Sequence, residues 1–479
     1  MDYYRNAGSV RTCDIEIAVA ATLDELEKNT DGKKVAVIVG LGETGLSCAK
    51  YLRSKGESFT VVDSRRDPPG LERLRADCPG IQVQLGPFSE TTLVNASQVI
   101  VSPGVSLREQ AIVSAIDSGV PITGDIDMFS QVVKAPIVAV TGSNGKSTVV
   151  SLVAEICRQA GISYGLGGNL EAEGAVPALD LLQEPAKDLY ILELSSFQLE
   201  TTSKLGAEVA VLLNFSEDHM DRYEKPDDYL CAKQRIFNGA RKVVINLDSK
   251  FSRPPVPRTG EVLAFGMGEP EPDTFGVKQE ADQEWIAYGD HKLLPATGIK
   301  IAGRHNIANV LAAMAIGKCL DIRLDVMVDA VRGFAGLPHR CQWIAEVNEV
   351  DYYNDSKGTN VGATLAAIEG LGERISGKLI LIVGGVGKGA DFSPLRAAVQ
   401  KYVSITVVIG SAAQELADML GDLGPVLFAT DMQDAVAKGS ASSRRGDAVL
   451  LSPACASFDM FRDFRHRGEE FIDQVRRLQ

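Results

Sequence analysis

Pro136-Ile-Val-Ala-Val-Thr141-Gly142-Ser143-Asn144-Gly145-Lys146-Ser147-Thr148 is the stretch on which the reading of this chain turns. An apolar, β-branched run enters a tight glycine turn. The turn opens into Val149, Val150, Leu152, Val153 and Ile156, whose i, i+3, i+4, i+7 spacing marks one face of a helix. The segment therefore reads as strand, phosphate loop and helix. Glycines let main-chain N–H groups come close to an oxyanion, and the helix start points its unpaired amides at it. Lys146 adds a point charge, and Ser147 or Thr148 offers an oxygen to magnesium. An ordinary glycine turn before a core helix explains Gly142 and Gly145 but not a lysine and two hydroxyls at the helix start. ATP is the expected ligand, although Val140 stands where the common G-x-x-x-x-G-K-[ST] spacing has its first glycine.

Upstream, Lys33-Lys34-Val-Ala-Val-Ile-Val39 has a buried-strand pattern and runs into Gly40-Leu41-Gly42-Glu43-Thr44-Gly45 and a helix to about Leu52. A second strand, Ser58 to Val62, ends at Asp63, about twenty residues past the glycines, as a dinucleotide fingerprint places its acid. A third, Gln98 to Ser102, ends in Pro103-Gly104. Strands alternating with helices imply a parallel sheet with its ligand at the carboxyl ends. Taken alone, these glycines point to an NAD-dependent oxidoreductase, but such a turn describes how a diphosphate is held, so another nucleotide diphosphate fits equally well.

Downstream, Asp188 to Glu193, Glu208 to Leu213 and Lys242 to Asn246 are buried strands, and residues 253–300 turn to Pro, Gly and short alternation, consistent with a small antiparallel sheet. A helix with an alanine-rich face spans Asn306 to Leu320. The pattern restarts after Gly336-Leu337-Pro338 with a strand from Trp343 to Tyr353, then Lys378 to Val383, Ile405 to Ile409 and Ala448 to Leu451. The chain closes on a basic, aromatic helix, Phe458 to Arg477, with Phe461 and Phe464 on one face. The fold class is α/β in three domains. Residues 32–131 form a Rossmann-like domain, 132–336 a central P-loop ATPase-type domain with the small antiparallel sheet, and 337–479 a second Rossmann-like domain, while residues 1–31 form an N-terminal extension.

The 479 residues carry a formal net charge of −14, which argues against nucleic acid or an anionic membrane surface as the main partner. No apolar run approaches the ~20 residues of a membrane span, and the acidic first thirty residues lack the form of a secretory signal, so a cytoplasmic location is expected. Eight scattered cysteines without a C-x-x-C pair read as free, buried thiols.

ATP requires magnesium, and a doubly wound sheet presents its reactive groups at strand ends. Glu193 closes an apolar strand and reads as a metal ligand. His219, in Glu217-Asp218-His219-Met220-Asp221-Arg222-Tyr223, lies among acids after the next strand and is a candidate for a second metal. Lys233 has no such reading, since an ammonium cannot bind magnesium; a phosphate contact or a solvated helix face is its plain role.

Together these motifs resemble the Mur ligase family. The matching segments also include Gly124-Asp125-Ile126-Asp127, His305-Asn306, Leu337-Pro338-His339-Arg340, Asn354-Asp355-Ser356-Lys357 and Ser452-Pro453-Ala454-Cys455-Ala456-Ser457. The resemblance implies an ATP-dependent amide ligase of peptidoglycan precursor synthesis whose small-molecule substrates are UDP-N-acetylmuramoyl-L-alanine and D-glutamate; a monomer is expected. A folylpolyglutamate-type ligase, or another member adding a different amino acid, is the alternative. It implies a uridine diphosphate near Thr44, Asp63, Ser64, Arg65, Ser102, Pro103 and Gly104, and demotes NAD. ATP would meet Gly142, Ser143, Asn144, Gly145, Lys146, Ser147, Thr148, Asn309, Arg340, Asp355 and Lys357. Two magnesium ions would be held by Ser147, Glu193, His219 and Lys233, the last as a carbamate, with Lys146, His219 and Lys233 the catalytic groups. Asn169 would touch the muramoyl part, and Thr359, Lys388, Ser457, Phe458 and Phe464 would surround D-glutamate. Two departures stand out: Leu170-Glu171-Ala172-Glu173-Gly174 makes a longer, acidic loop after Asn169, and Gly358 replaces an alanine after Lys357, a change expected to loosen that turn.

Overall fold

The structure, a computed structural model, describes residues 34–479 apart from 170–174, 221, 256–259, 282 and 302. The expected extension at 1–31 and the acidic loop after Asn169 lie outside the described residues. The chain forms two compact units. One holds the described residues up to Gly266 with Pro270–Phe275 and Ala312–Met327; the other holds Met267–Glu269, Gly276–Leu311 and Val328–Gln479.

In the first unit, a parallel sheet runs in the order Gln82–Leu85, Phe59–Asp63, Ala36–Val39, Val99–Val101, Ile122–Thr123. The direction of winding reverses between Ala36–Val39 and Val99–Val101, which is where a doubly wound sheet opens a crevice, and the Gly40 to Gly45 turn stands at its mouth. A second sheet places Ile137–Thr141 between Leu189–Glu193 and Val209–Leu212, all parallel and fully buried. Burial on both faces explains why these strands read as unbroken apolar runs. Tyr164–Gly168 flanks them on one side; Lys242–Asn246 and Glu261–Phe265 follow on the other. One apolar core reaches from the first sheet into the second. Phe129 of helix Asp125–Val132 meets the Tyr190 ring edge-on at 5.3 Å.

The residues between 253 and 300 do hold an antiparallel hairpin, Gln283–Tyr288 with His291–Pro295, while Ala264 and Phe265 pair in parallel with Thr274 and Phe275.

In the second unit, the third sheet runs Gln342–Val347, Val350–Asn354, Ala448–Leu451, Leu379–Gly384, Val403–Ile409, Val426–Phe428. The expected single strand from Trp343 to Tyr353 is instead an antiparallel hairpin, turned at Asn348 and Glu349 with φ of 51° and 62°. Two successive left-handed residues make the turn whose twist suits paired strands. The last helix begins at Phe464, not Phe458, because the Asp463 carboxylate caps it by accepting from the His466 amide. Phe461 therefore lies outside the helix and does not share a helical face with Phe464. At Gly358 an added Cβ would stand 2.5 Å from Asp355 Oδ2 and 2.9 Å from Ser452 Oγ, so an alanine there requires those side chains to shift. Six described cysteines, Cys48, Cys78, Cys157, Cys319, Cys341 and Cys455, are free thiols, and all but Cys341 are buried.

Candidate functional site

The phosphate-loop candidate is built as the sequence requires. Strand Ile137–Thr141 ends in the loop, and helix Lys146–Gln159 starts from Gly145, whose φ of +83° is left-handed. Gly142 faces Leu213 and Asn214 so closely that an added Cβ would lie 3.1 Å from Leu213 Cβ. A strap from the end of strand Val209–Leu212 holds the loop in shape. Asn214 Oδ1 accepts from the Asn144 amide at 2.9 Å, and its Nδ2 donates to Asn144 O at 3.0 Å. The Ser143 hydroxyl donates to Ser216 O at 2.8 Å and accepts from the Ser216 amide at 3.0 Å. Sequence reasoning missed Asn214; its one signal was a lone amide side chain just past a buried strand.

Two lysine side chains converge on one carbonyl. Lys146 Nζ donates to Gly142 O at 2.9 Å and Ser143 O at 3.0 Å, and Lys233 Nζ donates to Gly142 O at 2.9 Å. Lys233 is buried, with its Nζ 4.5 Å from the centre of the Tyr229 ring. Burial, and then the like charge of Lys146, hold its pKa well below the ordinary lysine value against the pull of Asp218 and Glu193. Beside this pair, buried Glu193 accepts from Ser147 Oγ at 2.7 Å and Asn169 Nδ2 at 3.2 Å. Thr148 is buried in the first turn of the helix. His219 lies on the next loop with φ of 58°, its amide donating to Asp218 Oδ1 and its ring edge-on to Phe197 at 4.9 Å. Among the described residues, no three His, Cys, Asp or Glu side chains gather to hold a metal. A cation here would draw on the Ser147 hydroxyl and the Glu193 carboxylate beside it, with further oxygens from nucleotide or water.

At the first sheet the turn is equally determined. Gly45 could carry no Cβ, which would stand 2.0 Å from Gly40 O, and Ser102 Oγ donates to the same carbonyl at 2.9 Å. Asp63 closes the turn by accepting from the Leu41 amide at 2.7 Å, while Arg65 wraps it through its backbone N, Nε and Nη2. Burial alone would raise the Asp63 carboxyl; hydrogen bonds from Arg65 and Leu41 outweigh it and leave the pKa below the usual range. Thr44 is the second residue of the helix that follows, and Ser64 lies between Asp63 and Arg65.

The second unit has its own cluster. Buried Asp355 accepts from Ser452 Oγ at 2.7 Å and the Cys341 amide at 3.1 Å. Burial pushes its carboxyl up to about 6, with Ser452, Cys341 and the charge of Arg340 restraining it. The Lys357 ammonium lies 3.8 Å from the centre of the Phe464 ring, and the Thr359 amide donates to Lys357 O at 2.8 Å. Asn309 Nδ2 donates to Asn306 Oδ1 at 3.0 Å. Lys388 is held left-handed at φ 52° in the glycine loop after Leu379–Gly384. Ser457 is buried, while Phe458 is exposed.

Residues 34–124 match the Mur ligase MurD-like N-terminal domain, 140–317 the Mur ligase middle domain, and 339–455 the Mur ligase glutamate ligase domain. UDP-N-acetylmuramoylalanine--D-glutamate ligase of Nitrosococcus oceani is 49% identical over 92% of this chain and 96% of its own. The Pseudomonas aeruginosa protein of the same name is 49% identical over 92% of this chain and 98% of its own. Among solved structures, the UDP-N-acetylmuramate-alanine ligase of Thermotoga maritima shares the fold at a TM-score of 0.59 and 18% identity, covering 93% of this chain and 100% of its own. With matches ordered through both glycine turns and the third sheet, the chain belongs to the Mur ligase family.

Proposed function

We propose that the chain joins D-glutamate to the L-alanyl carboxylate of UDP-N-acetylmuramoyl-L-alanine at the expense of ATP, releasing ADP and phosphate. The observation that carries this reading is the Gly142–Gly145 turn opening into helix Lys146–Gln159, with Lys146 Nζ and the Ser147–Glu193 pair at its start. In a chain of net charge −14, a polyanion needs such a concentration of cationic and amide donors. A carboxylate resists an amine because its carbon is electron-rich and oxide does not leave. The L-alanyl oxygen therefore attacks the γ-phosphorus in line, the bond to ADP breaks, and an acyl phosphate forms while Lys146 offsets charge on the equatorial oxygens. The D-glutamate amine then adds to the carbonyl carbon, phosphate departs with the bonding pair, and the amine loses a proton to His219 or a nearby base.

Magnesium, when bound, would neutralise phosphoryl charge; Ser147 and Glu193 fit one ion, and His219 with Lys233 a second. Lys233 fits a carbamate because a depressed pKa leaves an amine lone pair free to add to carbon dioxide, giving an N–C bond, a carboxylate-like group and one released proton. Thr44, Asp63, Ser64, Arg65, Ser102, Pro103, Gly104 and Asn169 hold the nucleotide sugar. Asn309, Arg340, Asp355 and Lys357 complete the ATP site, and Thr359, Lys388, Ser457, Phe458 and Phe464 receive D-glutamate. Among the described residues no helix is long and apolar enough to cross a membrane. Phosphate release from ATP, with the nucleotide sugar and each candidate amino acid in turn, tests the reading. Release strictly dependent on D-glutamate supports it, and release with another amino acid moves the specificity.

A further inference from the structure

Three residues beyond His219, Arg222 occupies a place that neither glycine turn explains. Its Nη1 donates to Pro103 O at 3.0 Å and its Nη2 to Val105 O at 3.0 Å, two carbonyls flanking Gly104 on the loop after strand Val99–Val101. Nη2 also meets Glu200 Oε2 at 2.9 Å, with only 13% and 16% of the two side chains exposed. The guanidinium lies 4.4 Å from the centre of the Phe197 ring, and that same ring packs against the His219 imidazole at 4.9 Å. The Arg222 amide closes the turn by donating to His219 O at 2.9 Å.

We propose that Arg222 is a positioning residue, a clasp that sets the Ser102–Val105 loop, and so the nucleotide sugar resting on it, in register with the His219 segment. The inference rests on the functional reading above. A planar fork with five donors is what two carbonyls, a carboxylate and an aromatic face require together; an ammonium serves one direction at a time. The clasp is nearly dry, so water does not replace a lost arm cheaply. The same two segments are also tied by Arg108 to Glu224 at 3.1 Å, but that pair is half or more exposed and holds little.

Arg222→Lys is the test, with Arg108→Ala as the exposed comparison. Steady-state constants would be read for UDP-N-acetylmuramoyl-L-alanine and ATP separately, alongside calorimetric binding of the nucleotide sugar and of a non-hydrolysable ATP analogue. Misplacing a reacting group by about 1 Å costs on the order of 10²-fold, so kcat/KM for the nucleotide sugar should fall by roughly 10- to 100-fold. KM and affinity for the ATP ligand should stay within about twofold, and Arg108→Ala should match wild type. Should Arg222→Lys fail to fold, Glu200→Ala, which removes the carboxylate partner of Nη2 and leaves the two carbonyl bonds, should show the same split in weaker form. Loss of both ligands alike, or unchanged constants for the nucleotide sugar, would overturn the clasp. A wild-type protein without turnover would instead refute the ligase reading.

Discussion

Lys233→Met separates catalysis from stability more sharply than any other single change. The side chain is buried, at 2% exposure, and its Nζ makes a hydrogen bond to Gly142 O at 2.9 Å and lies over the Tyr229 ring. Losing that bond costs about 1 kcal/mol and the ring contact up to about 2 kcal/mol in a desolvated site. Against this, a buried amine next to Lys146 carries a desolvation and like-charge penalty, which is why its pKa is depressed. Replacing buried ionic groups by apolar ones of similar volume is often neutral or stabilising by about 1–4 kcal/mol, and methionine fills nearly the same space. The melting temperature should therefore hold or rise. Phosphate release should drop by roughly 10²- to 10³-fold, the scale of losing one preorganised charge-stabilising group. In Lys233→Ala, which leaves a gap, short carboxylates added to the assay should restore part of the activity. Near-normal turnover in either variant without additive, or a loss of activity that only parallels a loss of folded protein, would refute this account of Lys233.

Two further predictions concern the frame around the site. Asn214→Ala removes both bonds to the Asn144 backbone, about 1 kcal/mol each net; affinity for an ATP analogue, measured calorimetrically, should weaken by roughly tenfold or more, and unchanged affinity would remove the strap from the account. Asp125 and Asp355 are both buried and pushed up to about 6, burial being the first cause in each. Because their folded values lie above the unfolded carboxylate value of ~3.9, the fold favours the protonated acids. That contribution is complete below about pH 4 and is lost as pH rises through about 6, about 3 kcal/mol for each. Urea midpoints between pH 4 and 7.5 should show less downward slope in Asp125→Asn and Asp355→Asn than in wild type, and identical slopes would contradict the assignment.

The parts of the site legible in sequence were those written in consecutive residues. Strand, glycine turn and helix around Lys146 follow from β-branched burial, a left-handed Gly145 and the spacing of Val149 to Ile156. Glu193 was singled out as a metal ligand because a charge at the end of Tyr-Ile-Leu is rarely core; it is buried and accepts from Ser147 Oγ at the start of the helix. Lys233 and Gly142 are 91 residues apart, and no local pattern announces their meeting; the family resemblance, not the residue, brought the lysine forward. Asn214 and Arg222 were missed for the same reason, since their partners lie 70 and 119 residues away. The hairpin at Asn348-Glu349 was overlooked because a continuous β-rich run hides a turn that dispenses with glycine, and the cap at Asp463 was a local signal passed over.

The central claim is that a substrate carboxylate takes phosphorus from the nucleotide cradled at Gly142 to Thr148. It is tested most directly with UDP-N-acetylmuramoyl-L-alanine carrying oxygen-18 in both alanyl carboxylate oxygens. Turnover with ATP and D-glutamate should leave one labelled oxygen in each phosphate released, because the attacking oxygen departs with phosphorus. Phosphate free of label, with the amide formed, would contradict the account.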